Sequence, residues 1–202
     1  MLHYGTVSPQ LLELLTGIMS LPQFSSYSLA GGTSLALQLG HRISVDIDVF
    51  GTDPLEDLEV LPLLEQWGPV VVIKRSENIL VCSVGGIKLD AIRYRYPVLE
   101  PLNETDGLRL YSLGDIAAMK LNAIASRGSR KDFIDLDVLL NHLSPREIWG
   151  LFRQKFPDAS EFLVRKSLTF FSDAEQEAFP ELLVPLDWEH AKQRITQFAI
   201  ST

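Results

Sequence analysis

Two aspartates, Asp46 and Asp48, alternate with apolar residues in Ser44-Val45-Asp46-Ile47-Asp48-Val49-Phe50. On an extended strand this spacing sends both carboxylates to one face and Val45, Ile47 and Val49 to the other. Two like charges at that distance repel, and withdrawing either from water is costly without a positive partner. A divalent ion is one such partner: oxygen ligands suit Mg²⁺ or Mn²⁺, which take further ligands from substrate phosphates. A bare Asp-x-Asp equally describes an edge strand with a solvated acidic face, so the surrounding residues decide between the two.

Three neighbours favour the metal. Gly31-Gly32-Thr33 turns the chain from an apolar run into a candidate helix, where a phosphate can approach backbone N–H groups at the positive dipole end. Asp90, in Ile87-Lys88-Leu89-Asp90-Ala91-Ile92, offers a third carboxylate from another candidate strand, able to bind metal and help deprotonate an attacking hydroxyl. Arg42, just before the aspartate strand, and Lys120, in the apolar helix pattern Ile116, Ala117, Leu121, Ile124, are candidates to neutralise phosphate. A snorkelling surface lysine is the alternative for Lys120. A nucleoside triphosphate held on the glycine turn, with metal on Asp46 and Asp48, satisfies all of these at once.

These residues must be positioned by a mixed fold. Ser8-Pro9 caps a helix running to about Ser20 on Leu11, Leu12, Leu15 and Ile18. Tyr27 to Ala30 predicts a strand, Gly31-Gly32 a tight turn, Thr33 to Leu39 a helix closed by Gly40, and Ser44 to Phe50 a strand. Asp53-Pro54 opens a helix with Leu58, Leu61 and Leu64 inward. Strands follow over Val70–Lys74, Ile79–Val84 and Ile87–Tyr94, the last two joined by Gly85-Gly86 as a hairpin. From Ser112 the pattern is helical, over about 112–126, 130–142, 145–155, 158–171, 173–182 and 187–199. The expected class is α+β: a mixed β-sheet with flanking helices over 1–110, then a helical part over 111–202 that completes an active-site cleft. Their junction is expected near 97–111, where Pro97, Pro101, Asn103 and Gly107 cluster.

At 202 residues, 46% apolar and 22% charged, the chain has ordinary globular composition. Its net charge is −8, with 7 Lys+Arg against 13 Asp+Glu in residues 1–110 and 11 against 13 in 111–202. Neither half is a basic nucleic-acid platform. Met1 to Ser20 lacks a basic start, and no uncharged apolar run reaches membrane-spanning length, so the cytoplasm is the expected compartment. The lone Cys82 lies in an apolar run and cannot form an internal disulfide. His3, His41, His142 and His190 have no paired ligand spacing, and the Gly-x-Ser-x-Gly and P-loop patterns are absent. Arg146, Arg153, Lys155, Arg165 and Lys166 read as a solvated helical face, with guidance of an RNA end as a minor alternative.

Gly-Gly-Thr followed twelve residues later by Asp-x-Asp resembles the signature of the DNA polymerase β-like nucleotidyltransferases. The full stretch LAGGTSLALQLGHRISVDIDVF is similar to the AbiEii/AbiGii toxin family, nucleotidyltransferases of bacterial type IV toxin–antitoxin and abortive-infection systems. MKLNAIASRGSRKDFIDLDVLL (119–140) resembles that family's downstream lysine and basic-Asp-x-x-Asp motifs. The resemblance implies that Gly32 and Thr33 contact triphosphate, beside Gly31 of the same glycine turn, and that Asp46 and Asp48 hold metal. Arg42 and Ser44 fall on its Arg-x-Ser-x-Asp-x-Asp positions, Lys120 and Asp132 form the downstream active-site pair, and Asp90 stands at the third-carboxylate position. Asp135 is expected to pair with or cap Arg127 or Arg130. The implied reaction is metal-dependent nucleotide transfer from an NTP to a tRNA end or protein, with a cognate antitoxin nearby. The alternatives are a non-catalytic interaction protein and an antibiotic-type small-molecule nucleotidyltransferase.

Overall fold

The computed structural model describes residues 1–55 and 57–201. Its chain divides into two compact units: a sheet unit, Met1–Arg95 with Leu102–Tyr111, and a helical unit, Tyr96–Pro101 with Ser112–Thr202.

The sheet unit contains helix α1 (Pro9–Ser20), strand β1 (Ser28–Leu29), α2 (Gly31–Leu39), β2 (Asp46–Gly51) and α3 (Asp57–Leu64). These are followed by β3 (Val70–Ser76), β4 (Ile79–Val84), β5 (Ile87–Arg93), β6 (Asn103–Thr105) and β7 (Leu108–Leu110). The seven strands form one mixed sheet in the order β3-β4-β5-β2-β1-β7-β6. β2 pairs parallel to β5 and antiparallel to β1, while β4 and β5 form the expected hairpin through Gly85 and Gly86, both at positive φ.

Period-2 alternation decides what β2 buries. Ile47 and Val49 are fully buried, whereas Asp46, Asp48 and Phe50 on the opposite face are only half-buried. Ile47 and Val49 join Leu89 and Ala91 of β5 in a core closed by Leu11, Leu14, Leu15 and Ile18 of α1. Val45, expected on the inward face, precedes the strand and is exposed. Apolar residues thus anchor the strand from one side, and its aspartates rise from the other.

Several boundaries differ from the sequence pattern. Gly31 and Gly32 are not a separate turn but the first residues of α2. The helix expected from Asp53-Pro54 runs from Asp57, buries Val60 and Leu64, and leaves Leu61 half-buried; the expected inward Leu58 side chain lies outside the described residues. Within the expected junction, Asn103 to Leu110 form a β6–β7 hairpin, and β7 adds parallel to β1.

In the helical unit, α4 (Leu113–Ser126), α5 (Arg130–Leu139), α6 (Pro145–Lys155), α7 (Glu161–Ser167) and α8 (Trp188–Ile200) surround a core that includes Phe133, Ile148, Phe152 and Ile195. Trp149 lies parallel to Phe198 at a centroid distance of 5.1 Å. Serine caps begin α4, α6 and α7, with a full capping box at Ser144 and Glu147. The helix expected over 173–182 is a single 3₁₀ turn, Ala174–Gln176, because tertiary bonds claim the segment instead. Arg130 donates to the carbonyls of Ala174 and Glu175 and stacks over Phe179 at 4.0 Å. A buried pair, Lys155 Nζ to Asp115 Oδ1 at 2.6 Å, fastens the Tyr96–Pro101 segment: Lys155 also donates to Pro97 O, and Asp115 accepts from the N–H groups of Leu99 and Glu100. No described helix is long and apolar enough to cross a membrane.

Candidate active site

The site in the sheet unit starts where β1 delivers the chain to α2. Ala30 is the N-cap and gives no side-chain cap to the helix, so the first-turn N–H groups keep their ordinary need for an acceptor. Its own N–H donates to Asp48 O at 2.9 Å, which locks the helix start against β2. Gly31 stands at φ +65°, a left-handed conformation that suits glycine. A Cβ built there would lie 2.6 Å from Asp48 Oδ2, so the missing side chain is what lets the carboxylate sit against the helix start.

A buried polar spine holds this arrangement. Thr33 Oγ1 lies 2.8 Å from Ser44 Oγ and also donates to the carbonyl of Asp46. Arg42, itself buried, donates to Ile43 O at 3.0 Å and to Ser44 Oγ at 3.4 Å. Thr33, Ser44 and Arg42 therefore bind one another and fix the entry of β2 relative to α2. In this structure these hydrogen bonds serve the frame of the helix start and the strand entry.

The carboxylates are brought together by strand register. β2 and β5 run parallel with Asp48 directly beside Asp90 and Asp46 directly beside Lys88. All four side chains rise from one face of adjacent strands. Lys88 Nζ lies 2.7 Å from Asp90 Oδ2, while Asp90 Oδ1 is buried and accepts no hydrogen bond from any described residue. Burial disfavours the Lys88 ammonium, but its hydrogen bond to Asp90 and the charges of Asp90, Asp48 and Asp46 outweigh this and raise its pKa. Lys88 is a residue of the carboxylate face that is not among the residues expected there from the sequence. The signal was available, because it precedes Asp90 by two residues on a strand.

In the helical unit, Lys120 of α4 is buried and reaches two carboxylates of α5, Asp132 Oδ1 at 2.8 Å and Asp135 Oδ2 at 2.5 Å. Asp132 also accepts from Arg127 Nε and from Ser129 Oγ, each at 2.8 Å. Burial opposes the ionised Asp132, yet Lys120 and Arg127 hold its pKa well below the usual carboxylate range. Burial likewise opposes the Lys120 ammonium, but Asp135 and Asp132 raise its pKa. Asp135 makes a short ion pair with Lys120, a partner not expected for it, since positions 132 and 135 share a helix face. Three of the second-half basic residues are also committed within this unit. Lys155 pairs with Asp115, and Arg153 and Arg165 both pair with Glu161.

The sheet unit thus gathers Gly31, Gly32, Thr33, Arg42, Ser44, Asp46, Asp48 and Asp90 around one helix start and two parallel strands, and the helical unit joins Lys120 to Asp132. A glycine-started helix laid against a strand bearing Asp-x-Asp, with a third carboxylate abreast, is the arrangement of a nucleotidyltransferase-type fold. Solved structures share that fold: JHP933 from Helicobacter pylori matches 94% of this chain and 87% of its own at a TM-score of 0.60 and 17% identity. MenT4, a nucleotidyltransferase toxin from Mycobacterium tuberculosis H37Rv, matches 95% of this chain and 81% of its own at a TM-score of 0.59 and 16% identity. In sequence, the uncharacterized protein aq_aa25 of Aquifex aeolicus (strain VF5) is 34% identical over 176 residues, 84% of this chain and 85% of that protein. The family described as nucleotidyl transferase AbiEii toxin, type IV TA system, matches residues 13–201, and the chain belongs to it.

Proposed function

We propose that the chain transfers a nucleotide from an NTP to an acceptor hydroxyl, as the toxin of a type IV toxin–antitoxin pair acting in the cytoplasm. The observation that carries this reading is the β2–β5 register, which sets Asp48 beside Asp90 under the Gly31 helix start. Family membership supports the reaction class and a cognate antitoxin. In the proposed step the acceptor oxygen bonds to the α-phosphorus and the α–β phosphoanhydride bond breaks. Pyrophosphate leaves, and the acceptor proton passes to a carboxylate of the site, for which Asp90 is the candidate.

The donor set fits Mg²⁺ or Mn²⁺. It consists of hard carboxylate oxygens, and Asp90 Oδ1 is a buried acceptor with no hydrogen bond from any described residue. No group of three or more His, Cys, Asp or Glu side chains among the described residues is placed to hold an ion, so any cation here would take substrate phosphate among its ligands. Asp46, Asp48 and Asp90 would hold it, and when bound it would supply charge neutralisation at the α-phosphate and the leaving group. The chain's own contributions are separate. The N–H groups of Gly31 and Gly32 receive phosphate oxygens, and Arg42, Ser44 and Thr33 keep the helix start in register with the carboxylates. Lys120 and Asp132 stay in the proposal as the downstream pair, held rigid by Asp135 and Arg127.

The test is incubation of the purified chain with each labelled NTP, total RNA and protein extract. Label on RNA or protein in the wild type, lost in folded Asp46→Asn and Asp48→Asn, supports transfer and identifies the acceptor. Label on an aminoglycoside alone moves the assignment to the small-molecule class. No transfer with any acceptor favours an interaction protein that keeps the fold.

A further inference from the structure

The carboxylate face carries a cation of its own, one to which nucleotide binding assigns no task. Lys88 lies opposite Asp46 in the strand register and two residues before Asp90, so its side chain rises from the same face as all three aspartates. Its side chain is 45% exposed, and its ammonium turns back to Asp90 Oδ2 at 2.7 Å. That bond engages one oxygen of Asp90, while the other, Oδ1, is buried without a hydrogen-bond donor among the described residues.

We propose that Lys88 is a resident counter-ion of the aspartate trio. It relieves carboxylate repulsion while no divalent cation is present and opposes the entry of that cation, so that it sets metal affinity. The inference rests on the reading of Asp46, Asp48 and Asp90 as metal ligands. A divalent ion held on Asp90 would share that carboxylate with the Lys88 ammonium. Their repulsion at about 5 Å in water-like dielectric is worth roughly a tenfold change in binding, and salt screens part of it. The lysine therefore trades affinity for stability of the metal-free protein. Its repulsion also weakens whatever cation binds before nucleotide phosphates arrive with their own negative charge.

The experiment measures Mn²⁺ binding without nucleotide, by the electron paramagnetic resonance of free Mn²⁺, for the wild type, Lys88→Met, Lys88→Arg and Asp90→Asn. Thermal melts in chelator accompany each protein. Lys88→Met should bind Mn²⁺ about five- to tenfold tighter, and Lys88→Arg should bind as the wild type does. In chelator, Lys88→Met should melt lower than the wild type, and this loss should vanish in the Asp90→Asn background. Measurable wild-type binding that Lys88→Met leaves equal or weaker overturns the counter-ion role and leaves the metal site standing. Absence of Mn²⁺ binding in both wild type and Lys88→Met overturns the metal reading and the inference with it.

Discussion

Replacing Gly31 by alanine adds one carbon at the point where helix and carboxylate meet. Two effects add. A left-handed conformation costs a residue with a Cβ about 1–2 kcal/mol, and Gly31 stands at φ +65°. The new carbon would also lie 2.6 Å from Asp48 Oδ2 and 3.2 Å from Asp48 Cβ. The oxygen can rotate away, but the Asp48 Cβ is fixed to β2, so the helix start must also shift. Mild overpacking of this kind costs about 1 kcal/mol, which brings the total to about 2–3 kcal/mol. Gly107→Ala is the matched control, since Gly107 has φ +79° and nothing within 4 Å of the added carbon. It should lose only the conformational part, about 1–2 kcal/mol. Urea unfolding followed by far-ultraviolet circular dichroism measures both. Because the shift falls on a carboxylate that must be positioned, Gly31→Ala should also lose on the order of a hundredfold in nucleotide transfer, and Gly107→Ala almost nothing. If the two variants unfold alike and both transfer label at the wild-type rate, the close fit of the Asp48 carboxylate to the Gly31 start has no role.

The ion cluster of the helical unit gives two further expectations. Lys120→Met leaves Asp132 and Asp135 buried without their shared ammonium and should destabilise by about 3–5 kcal/mol in urea unfolding. The depressed Asp132 pKa adds stability that is complete above the unfolded carboxylate value of about 4 and is lost as pH falls from there toward the folded value. Melting temperatures of the wild type relative to Asp132→Asn should therefore converge only below about pH 4; a constant difference from pH 7 to pH 2 would contradict it. Lys155→Met should free the Tyr96–Pro101 segment, seen as faster amide exchange at Leu99 and Glu100, whose N–H groups Asp115 accepts. Burial pushes the Cys82 thiol up to about 11, so at pH 8 it should react with a thiol reagent only after unfolding.

The carboxylate face was legible because strand periodicity is strict. Asp46, Ile47, Asp48 and Val49 could only alternate, and the core took the apolar pair. The same rule places Lys88 on the face of Asp90, two residues along the strand. Strand order was not legible: nothing local to β2 says that it pairs with β5 rather than with β3 or β4, and that register is what sets Asp48 against Asp90. The β6–β7 hairpin hid in a stretch with proline before it and strands of three residues, yet Asp106-Gly107, both at positive φ, is a recognised two-residue hairpin signal. The segment 173–182 has helix-compatible residues, but the buried Arg130 takes its carbonyls and stacks on Phe179. Asp135 shows the same limit, because its ion pair with Lys120 reaches another helix.

The central claim is nucleotide transfer that depends on the aspartate strand, and the most direct measurement is single-turnover labelling with α-³²P-NTP. Wild type, Asp46→Asn and Asp48→Asn should be compared with total RNA and protein as acceptors, after chelation and with Mg²⁺ or Mn²⁺ restored. The account predicts acceptor labelling with pyrophosphate release in the wild type. Each variant, folded by circular dichroism, should be slower by on the order of a hundredfold or more. Labelling that persists unchanged in both aspartate variants would contradict it.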